Sequence, residues 1–425
     1  MQISKLEAQP SGPRSYREII KGALPSSLLN VARALQTGVQ QRLYRPNQFV
    51  VWLRDARNQP ASLLAPGSAR DRYVQALLDW LARAQDAVPG GGVSGYYTFA
   101  SGWSAAYPET TGYVITTLLE AARRLKREEW ADRARRMIEW EIKVQLADGS
   151  WQSGFVDQSA VPAVFNTGQV IDGLVAGYAQ FKEPQYLDAA LKGGRWLAVQ
   201  QESDGAWRRH VYQNNANCYS TRVAWPMLML AQATGDAGIR TSAIRYLEWA
   251  GTCQDDTNWF ANCSLETGDP ALTHTLGYTI EGFLESGLLL NDDRWIAVAQ
   301  RAADMLLHKF EIRKHLAGTY AKGWKPDHSF ACLTGCAQMS RVWGRLYGMT
   351  RDIRYLNALL KLNDYVLSQI SLTSSCSGIR GGVMGSKPVW GAYMTYRLPN
   401  WAAKFTLDAL FEEENALAQF QRDVP

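Results

Sequence analysis

The sequence predicts an all-α protein, an (α/α)6 toroid in which six helical hairpins close into a ring. A QxxDGxW motif begins at Gln145 and again at Gln201, 56 residues later, and a degenerate copy begins at Gln254. Around these motifs, segments with helical hydrophobic periodicity recur at the same stride, two in each repeat. A fixed period of this length is typical of a repeat architecture that buries one continuous core.

The first helix of each repeat is predicted from blocks of equal length that mostly end at the glutamine. These blocks span residues 70–85, 130–145, 186–201, 239–254, 295–310 and 355–370. We expect them to form an outer ring around the second helices of the repeats.

The second helix of each repeat starts at a polar cluster and continues into a small, apolar, glycine-containing segment. Its predicted starts are Glu109, Asn166, Ser220, His274, Leu333 and Asn400. Glycine inside a helix costs about 1 kcal/mol relative to alanine, so its frequency indicates close backbone packing in an inner ring. The threonine that recurs in five of these clusters is either a helix N-cap or part of a site.

Residues 68–425 form the toroid domain in this interpretation, and residues 1–67 form a basic helical extension. Residues 1–60 hold nine Lys and Arg against three Asp and Glu, in a chain whose net charge is +5. An amphipathic helix over residues 16–44 would present a solvated basic face, or contact an anionic membrane or a partner protein. The basic residues are not interleaved with aromatic ones, so no nucleic-acid partner is expected.

Targeting and metal signals are missing from the sequence. No apolar run of membrane-spanning length and no signal-like stretch occurs, so we expect a cytoplasmic protein. The six cysteines form no CxxC pair and the histidines form no HxH or HxxxH pair. We therefore expect free, buried thiols, no metal and no cofactor.

In the predicted ring, the inner-helix N-termini open into one funnel, whose unpaired N–H groups suit anionic and polar ligands. Aromatic faces and amides there are typical of a sugar-binding surface, and Arg222 and Lys404 would hold a carboxylate or phosphate. The catalytic candidates are His274, Tyr219, Tyr278, Glu109 and His328. The substrate-binding candidates are Asn166, Gln169, Arg222, Asn400, Lys404, Trp103, Trp324, Trp390, Gln338 and Asp327.

These residue types fit more than one glycan chemistry. A lyase or a uronyl epimerase needs a neutralised carboxylate and proton transfer by Tyr or His. A glycoside hydrolase needs two carboxyl groups across the bond, for which Glu109 is the first candidate. Its second carboxyl group would come from Asp327, Asp269 or Glu281.

The QxxDGxW repeats resemble the QW motifs of squalene–hopene and oxidosqualene cyclases, although the DxDD acid of those cyclases is absent here. The inner-helix starts are similar to those of prenyltransferase/squalene-oxidase-repeat toroids encoded with O-antigen and exopolysaccharide biosynthesis genes. The stretches that carry this resemblance are 107–113, 165–169, 221–226, 272–278, 332–338 and 399–405. The scaffold also resembles polysaccharide lyases and unsaturated-uronyl hydrolases, which is an analogy of fold.

We therefore expect a carbohydrate-active enzyme that acts on a uronate-containing polysaccharide or a lipid-linked glycan by lyase or epimerase chemistry. A glycoside hydrolase is the nearest alternative. A terpene-cyclase-like enzyme on an isoprenoid is a second alternative, against which the polar helix starts argue. A non-catalytic glycan-binding protein is the third, and it would tolerate the loss of His274 and Glu109.

Overall fold

The computed structural model describes residues 26–57 and 70–423. The predicted helix segment at 16–25 and the predicted domain boundary at residue 67 lie outside this part of the chain. Two helices precede the ring, α1 (Ser26–Gln40) and α2 (Pro46–Ala56). Among the described residues, no helix combines the length and hydrophobicity needed to span a bilayer.

Helix α2 is attached to the ring by its C-terminal end. The Asp55 carboxylate accepts hydrogen bonds from Lys387 Nζ at 2.6 Å and from the Val389 backbone N–H at 2.7 Å. Helix α1 leaves apolar side chains uncovered, because Leu35 and Val39 are exposed on its surface. The contact with a membrane or partner that we expect for residues 1–60 stays a prediction.

Twelve further helices of the described chain form an (α/α)6 toroid, as the repeat predicts. The outer ring consists of α3 (Arg70–Asp86), α5 (Glu128–Val144), α7 (Pro184–Gln200), α9 (Ala237–Gly251), α11 (Asp293–Arg313) and α13 (Ile353–Leu367). The inner ring consists of α4 (Pro108–Leu125), α6 (Val164–Phe181), α8 (Thr221–Thr234), α10 (Thr273–Leu290), α12 (Leu333–Thr350) and α14 (Asn400–Asp423). The hydrophobic core fills the space between the two rings.

The QxxDGxW motif joins neighbouring repeats. Gln145 Nε2 donates to the carbonyl oxygen of Gly149 at 2.8 Å and to that of Ala189, on the next outer helix, at 2.9 Å. Trp151 is buried and its Nε1 donates to the Glu141 carbonyl oxygen at 2.9 Å. The second copy makes the same bonds, from Gln201 to Gly205 and Ser242 and from Trp207 to Leu197. The motif is therefore structural at both positions.

The recurring threonines are not N-caps in the repeats of α4 and α6. The N-cap of α4 is Tyr107, and Thr111 lies one turn later. Thr111 Oγ1 accepts a hydrogen bond from the Val93 N–H at 3.0 Å, and Thr167 Oγ1 accepts one from the Trp151 N–H at 3.1 Å. Each hydroxyl thus ties an inner helix to the loop that precedes it.

Short strands join the loops at the N-terminal end of the inner ring. The antiparallel sheet of β1 (Tyr96–Thr98), β2 (Gly102–Trp103) and β8 (Arg397–Pro399) pairs the first repeat with the last and closes the circle. The remaining strands are β3 (Ala271–Leu272), β4 (Thr319–Ala321), β5 (Lys325–Asp327), β6 (Ala331–Cys332) and β7 (Ser386–Lys387). Asn400 adds a bond across the closure, from its Nδ2 to the Ser94 carbonyl oxygen at 3.0 Å.

Neighbouring inner helices approach closely at glycines. A Cβ atom on Gly112 of α4 would lie 2.6 Å from Val170 Cα of α6, and one on Gly173 would overlap the Gly112 carbonyl oxygen. Alanine at Gly173 has to push two backbones apart, and overpacking of this kind costs about 1–3 kcal/mol. We therefore expect Gly173→Ala to lower the free energy of unfolding by about that amount in a urea titration.

Gly38 of α1 provides the matched control, because a Cβ atom there would meet nothing within 4 Å. Gly38→Ala should leave stability unchanged or raise it by up to about 1 kcal/mol, since alanine is the better helix former. Equal midpoints for Gly173→Ala and the unchanged protein would contradict the close approach of α4 and α6.

Candidate functional site

A cavity of about 500 Å³ opens where the inner helices begin. Loops before α6, α8 and α10 form one wall, and the first turns of α4, α6, α10 and α14 form the floor. Its lining combines aromatic rings with amides and hydroxyls. The polar and aromatic lining residues are Tyr107, Glu109, Ser153, Phe165, Asn166, His210, Tyr212, Gln213, Asn214, Asn217, Tyr219, His274, Thr275, Tyr278, Tyr393 and Trp401.

Glu109 is the carboxylate of this lining. It lies on the first turn of α4, and Tyr107 Oη donates a hydrogen bond of 2.6 Å to Glu109 Oε2. The protein around the carboxyl group excludes water, which disfavours the charged form. This burial raises the pKa of Glu109 from 4.5 to about 7, although the Tyr107 hydrogen bond acts in the opposite direction.

His274 opens α10 and is 7% exposed. Its Nδ1 lies 2.7 Å from Gln338 Oε1 of α12. With the amide oxygen facing it, Nδ1 carries the proton and donates, which leaves the Nε2 lone pair free to accept a proton. Burial lowers the pKa of His274 to about 4, so the imidazole is neutral at pH 7.

An aromatic wall supports the imidazole and continues across the cavity. The Tyr278 ring lies 4.3 Å from that of His274, and the Phe165 ring lies 5.0 Å from Tyr278. Tyr219 packs edge-on against Phe165 at 5.7 Å. Burial raises the pKa of both tyrosines, so each hydroxyl remains a hydrogen-bond donor.

Two of the amides in the lining, those of Asn166 and Asn217, are held in place by hydrogen bonds. Asn166 is held by a hydrogen bond of 2.7 Å from its Nδ2 to the Gln152 carbonyl oxygen. Asn217 is fixed in the same way, because its Oδ1 accepts from the Ser220 N–H at 3.2 Å. Within the described residues, no three His, Cys, Asp or Glu side chains are grouped to hold a metal ion.

Several predicted site residues are therefore brought together, and others are not. Glu109, Asn166, Tyr219, His274 and Tyr278 line the cavity, and Gln338 contacts it through His274. The sequence pattern did not indicate Tyr393, Phe165 or the polar stretch 210–214 as residues of the site. The run of amides in that stretch, ahead of an inner helix, was the available signal.

Four predicted binding residues lie inside the packing of the inner ring and do not line the cavity. Gln169 Nε2 donates to the Arg222 carbonyl oxygen at 3.1 Å, and Asn400 Nδ2 donates to Thr110 Oγ1 at 2.8 Å. Lys404 is 2% exposed and ion-paired with Asp408. Lys404, and Arg222 as described next, are thus unavailable to bind an anion in the cavity.

Arg222 belongs to a chain of buried charges along the axis of the toroid. It is 1% exposed and pairs with Asp172 at 3.0 Å and with Glu281 at 3.3 Å. Glu281 also pairs with Arg341, which reaches Glu285 at 3.2 Å. Opposite charges alternate along this chain, so each arginine is compensated where it lies.

The remaining predicted residues lie elsewhere on the same end of the ring. Trp324 is 1% exposed and donates from Nε1 to the Thr257 carbonyl oxygen at 3.0 Å, so it is a core residue and not a funnel wall. Trp103 packs on Trp80 with a ring distance of 5.0 Å. Trp390 is exposed and packs near Trp52. Asp327 Oδ1 accepts a hydrogen bond from the Ser329 N–H. The His328 ring lies 5.0 Å from that of His315.

Comparisons with known proteins agree with this architecture. No known family model matches the chain, and no curated protein matches it. Among solved structures, an unsaturated glucuronyl hydrolase specific for heparin is 13% identical with a TM-score of 0.64, covering 83% of this chain and 97% of that chain. The cellobiose 2-epimerase from Bacillus thermoamylovorans B4167 is 16% identical with a TM-score of 0.63, covering 80% and 97%.

An alpha-amylase from Clostridium perfringens is 13% identical with a TM-score of 0.57, covering 80% of this chain and 97% of that chain. At such identities the similarity establishes the (α/α)6 fold. The cyclase resemblance of the QxxDGxW repeats is not represented among these three structures.

The axial charge chain generates a prediction about stability. Glu281→Gln leaves Arg222 and Arg341 without their shared carboxylate, and loss of one partner of a buried pair costs about 3–5 kcal/mol. We expect urea denaturation to show a loss of that size, whereas Glu139→Gln on the exposed side of α5 should change stability by less than about 0.5 kcal/mol. A Glu281→Gln protein as stable as the control would contradict the buried pairing.

The raised pKa of Glu109 generates a second prediction. A folded-state pKa of about 7 against an ordinary value of 4.5 means that the protonated group favours the fold. This contribution is complete below pH 4.5 and is lost as the pH rises through about 7. Glu109→Gln keeps the shape of the side chain without its charge. The melting temperature of this variant, relative to that of the unchanged protein, should therefore rise as the pH increases from 4.5 to about 7.

Calorimetric melting of both proteins at a series of pH values would measure this difference. The two melting curves should differ by a constant amount below pH 4.5. A constant difference over the whole pH range would show instead that the Glu109 carboxyl group titrates normally.

Proposed function

We propose that the protein is a carbohydrate-active enzyme that binds a sugar ring in the cavity and transfers protons to and from it. Aromatic faces that pack on sugar C–H groups, next to amides that bond to hydroxyls, support a carbohydrate ligand. The fold supports it as well, because the solved structures of similar fold include a glucuronyl hydrolase and an epimerase of cellobiose.

The observation that carries the proposal is the pairing of two neutral proton carriers in one cavity. His274 presents a free Nε2 lone pair and acts as the base. Glu109, whose pKa is about 7, retains its proton below that pH and acts there as the acid. A base and an acid with separated pKa values are what proton abstraction next to a carbonyl or carboxyl group requires.

The reaction would begin with transfer of a carbon-bound proton to His274 Nε2, while the electron pair of the C–H bond forms a carbon–carbon double bond. In elimination, the glycosidic C–O bond breaks, and the leaving oxygen takes the proton of Glu109. In epimerisation, the carbonyl oxygen takes that proton and an enediol forms. A water molecule on the opposite face then gives a proton to the carbon while the enol O–H proton returns to Glu109, and the resulting hydroxide takes the proton held by His274. Tyr278 and Tyr219 are placed to donate hydrogen bonds to the developing oxyanion.

Hydrolysis by a carboxyl pair receives less support from the geometry. Of the three partners considered for Glu109, Glu281 is engaged in the buried charge chain and Asp327 is exposed outside the cavity. Asp269 lines a neighbouring cavity. A second carboxyl group across the bond from Glu109 is therefore not supplied by these residues.

The lining also determines which charge a bound sugar ring can carry. Among the described residues, the lining contains neither Lys nor Arg. This favours an uncharged sugar at the reacting position. A uronate there would rely on amide donors such as Asn166 and on the protonated Glu109. Uronate-containing glycans therefore belong in the substrate panel beside neutral ones.

The proposal predicts that His274→Ala and Glu109→Gln each lower the rate by about 10²–10⁴-fold, the usual worth of a general acid or base. Purified protein would be incubated in D2O with neutral and uronate-containing oligosaccharides. Deuterium uptake without cleavage would indicate epimerisation, and ultraviolet absorbance of an unsaturated uronate would indicate elimination. The rate should rise as the pH passes about 4 and fall as it passes about 7.

His308→Ala, an exposed histidine on α11, is the control and should keep full activity. If the protein binds a glycan without turning it over, and neither substitution changes the affinity, the enzyme proposal is wrong and the protein is a glycan-binding protein. Full activity in His274→Ala would remove the imidazole from the reaction.

A further inference from the structure

A second cavity adjoins the first at the same end of the toroid. It measures about 340 Å³ and shares Asn217 and Leu265 with the first, so the two cavities meet at these residues, a boundary that we call the ridge. Its other lining residues come from the loop stretches 215–216, 259–270 and 321–322. The loops before α8 and α10 thus contribute to both cavities.

We infer that a glycan chain bound with its reacting ring in the first cavity continues over the Asn217–Leu265 ridge into the second cavity. This inference rests on the proposed function and adds that the substrate is an oligosaccharide or longer chain. Two adjoining cavities suit linked rings, because a free monosaccharide in the first cavity would leave the ridge and the second cavity unused.

The second cavity has the chemistry that sugar hydroxyls and C–H faces require. Trp259, which is 6% exposed, gives it an apolar base, while the exposed Asn215 and Asn262 bring amides to its rim. At the ridge, Leu265 is 39% exposed and offers an apolar surface to a ring that passes over it.

The charges around the second cavity are mixed. Lys322 faces the same space as Glu266 and Asp269, so one cation stands with two carboxylates. A cavity with this balance does not select an anion by charge. We therefore assign it to an uncharged sugar unit that is recognised through hydroxyl groups.

Hydrogen bonds hold the Asn217 part of the ridge in place. Asn217 Oδ1 accepts from the Ser220 hydroxyl at 2.9 Å, and the Asn217 carbonyl oxygen accepts from the Tyr246 hydroxyl. On the other side of the ridge, the Asn262 carbonyl oxygen accepts from the Cys218 N–H at 2.9 Å. A preformed surface lowers the entropy cost of binding, so occupation of the second cavity should raise affinity.

The experiment compares dimers with tetramers in calorimetric titrations. The probes are β-1,4-linked oligosaccharides of gluco, manno and galacto configuration. For the configuration that binds, the tetramer should bind about tenfold more tightly than the dimer, which corresponds to about 1.4 kcal/mol. Ala216→Trp and Lys322→Trp fill the second cavity from opposite walls, and each should remove this gain while leaving dimer affinity within about twofold.

Ala237→Trp, at an exposed position that begins α9, should retain the gain. Lys322 is exposed, so its variant carries the test if Ala216→Trp fails to fold. A panel in which no tetramer binds more tightly than its dimer would overturn the inference, as would a gain that survives both substitutions. Tetramer binding with the expected gain but no turnover would instead overturn the proposed function and leave the second cavity established.

Discussion

The close approach of neighbouring inner helices is the constraint on which the rest of the structure depends. Gly112 and Gly173 let α4 and α6 touch through their backbones, and Gly282 lets α10 meet Thr221 of α8 in the same way. Six helices packed at this distance leave a narrow axis, which buried ion pairs such as Arg222 with Asp172 fill. The space that remains for a ligand is at the N-terminal end, where the preceding loops rise above the ring.

Desolvation is the common cause of the two unusual protonation states in that space. The same surroundings that raise the pKa of Glu109 lower the pKa of His274, because burial penalises a negative carboxylate and a positive imidazolium alike. Both groups are consequently uncharged between about pH 4 and about pH 7. A cavity that is aromatic and poor in charge therefore acquires an acid and a base without needing an ion pair to hold them.

The sequence was sufficient to predict the helices of the ring but not the direction of their first side chains. A stride near 56 residues located every outer and inner helix to within about three residues, because each repeat has to bury the same faces. Asn166 and Arg222 both lie on the first turn of an inner helix, yet Asn166 faces the cavity and Arg222 faces the axis. Successive helical residues point about 100° apart, so one residue of offset decides which surface a side chain reaches.

The paths of the loops could not be predicted from the sequence either. Tyr393 reaches the cavity from a long loop, and the helical periodicity carries no information about its course. The tryptophans divide in the same way. Trp151 is explained by its local motif, while Trp324 is buried against Trp259 through a loop packing that the sequence pattern does not contain.

The burial of Arg222 and Lys404 changes how recognition works. A substrate anion could reach either cation only by displacing Asp172, Glu281 or Asp408, and an uncompensated buried carboxylate would cost more than the new contact returns. Under the proposed function, specificity at the reacting ring would rest on hydrogen bonds from amides and hydroxyls, which distinguish the orientation of sugar hydroxyl groups rather than net charge. Discrimination of this kind increases with each additional ring that is contacted, so a site without a cation has the most to gain from a chain that extends along the loops.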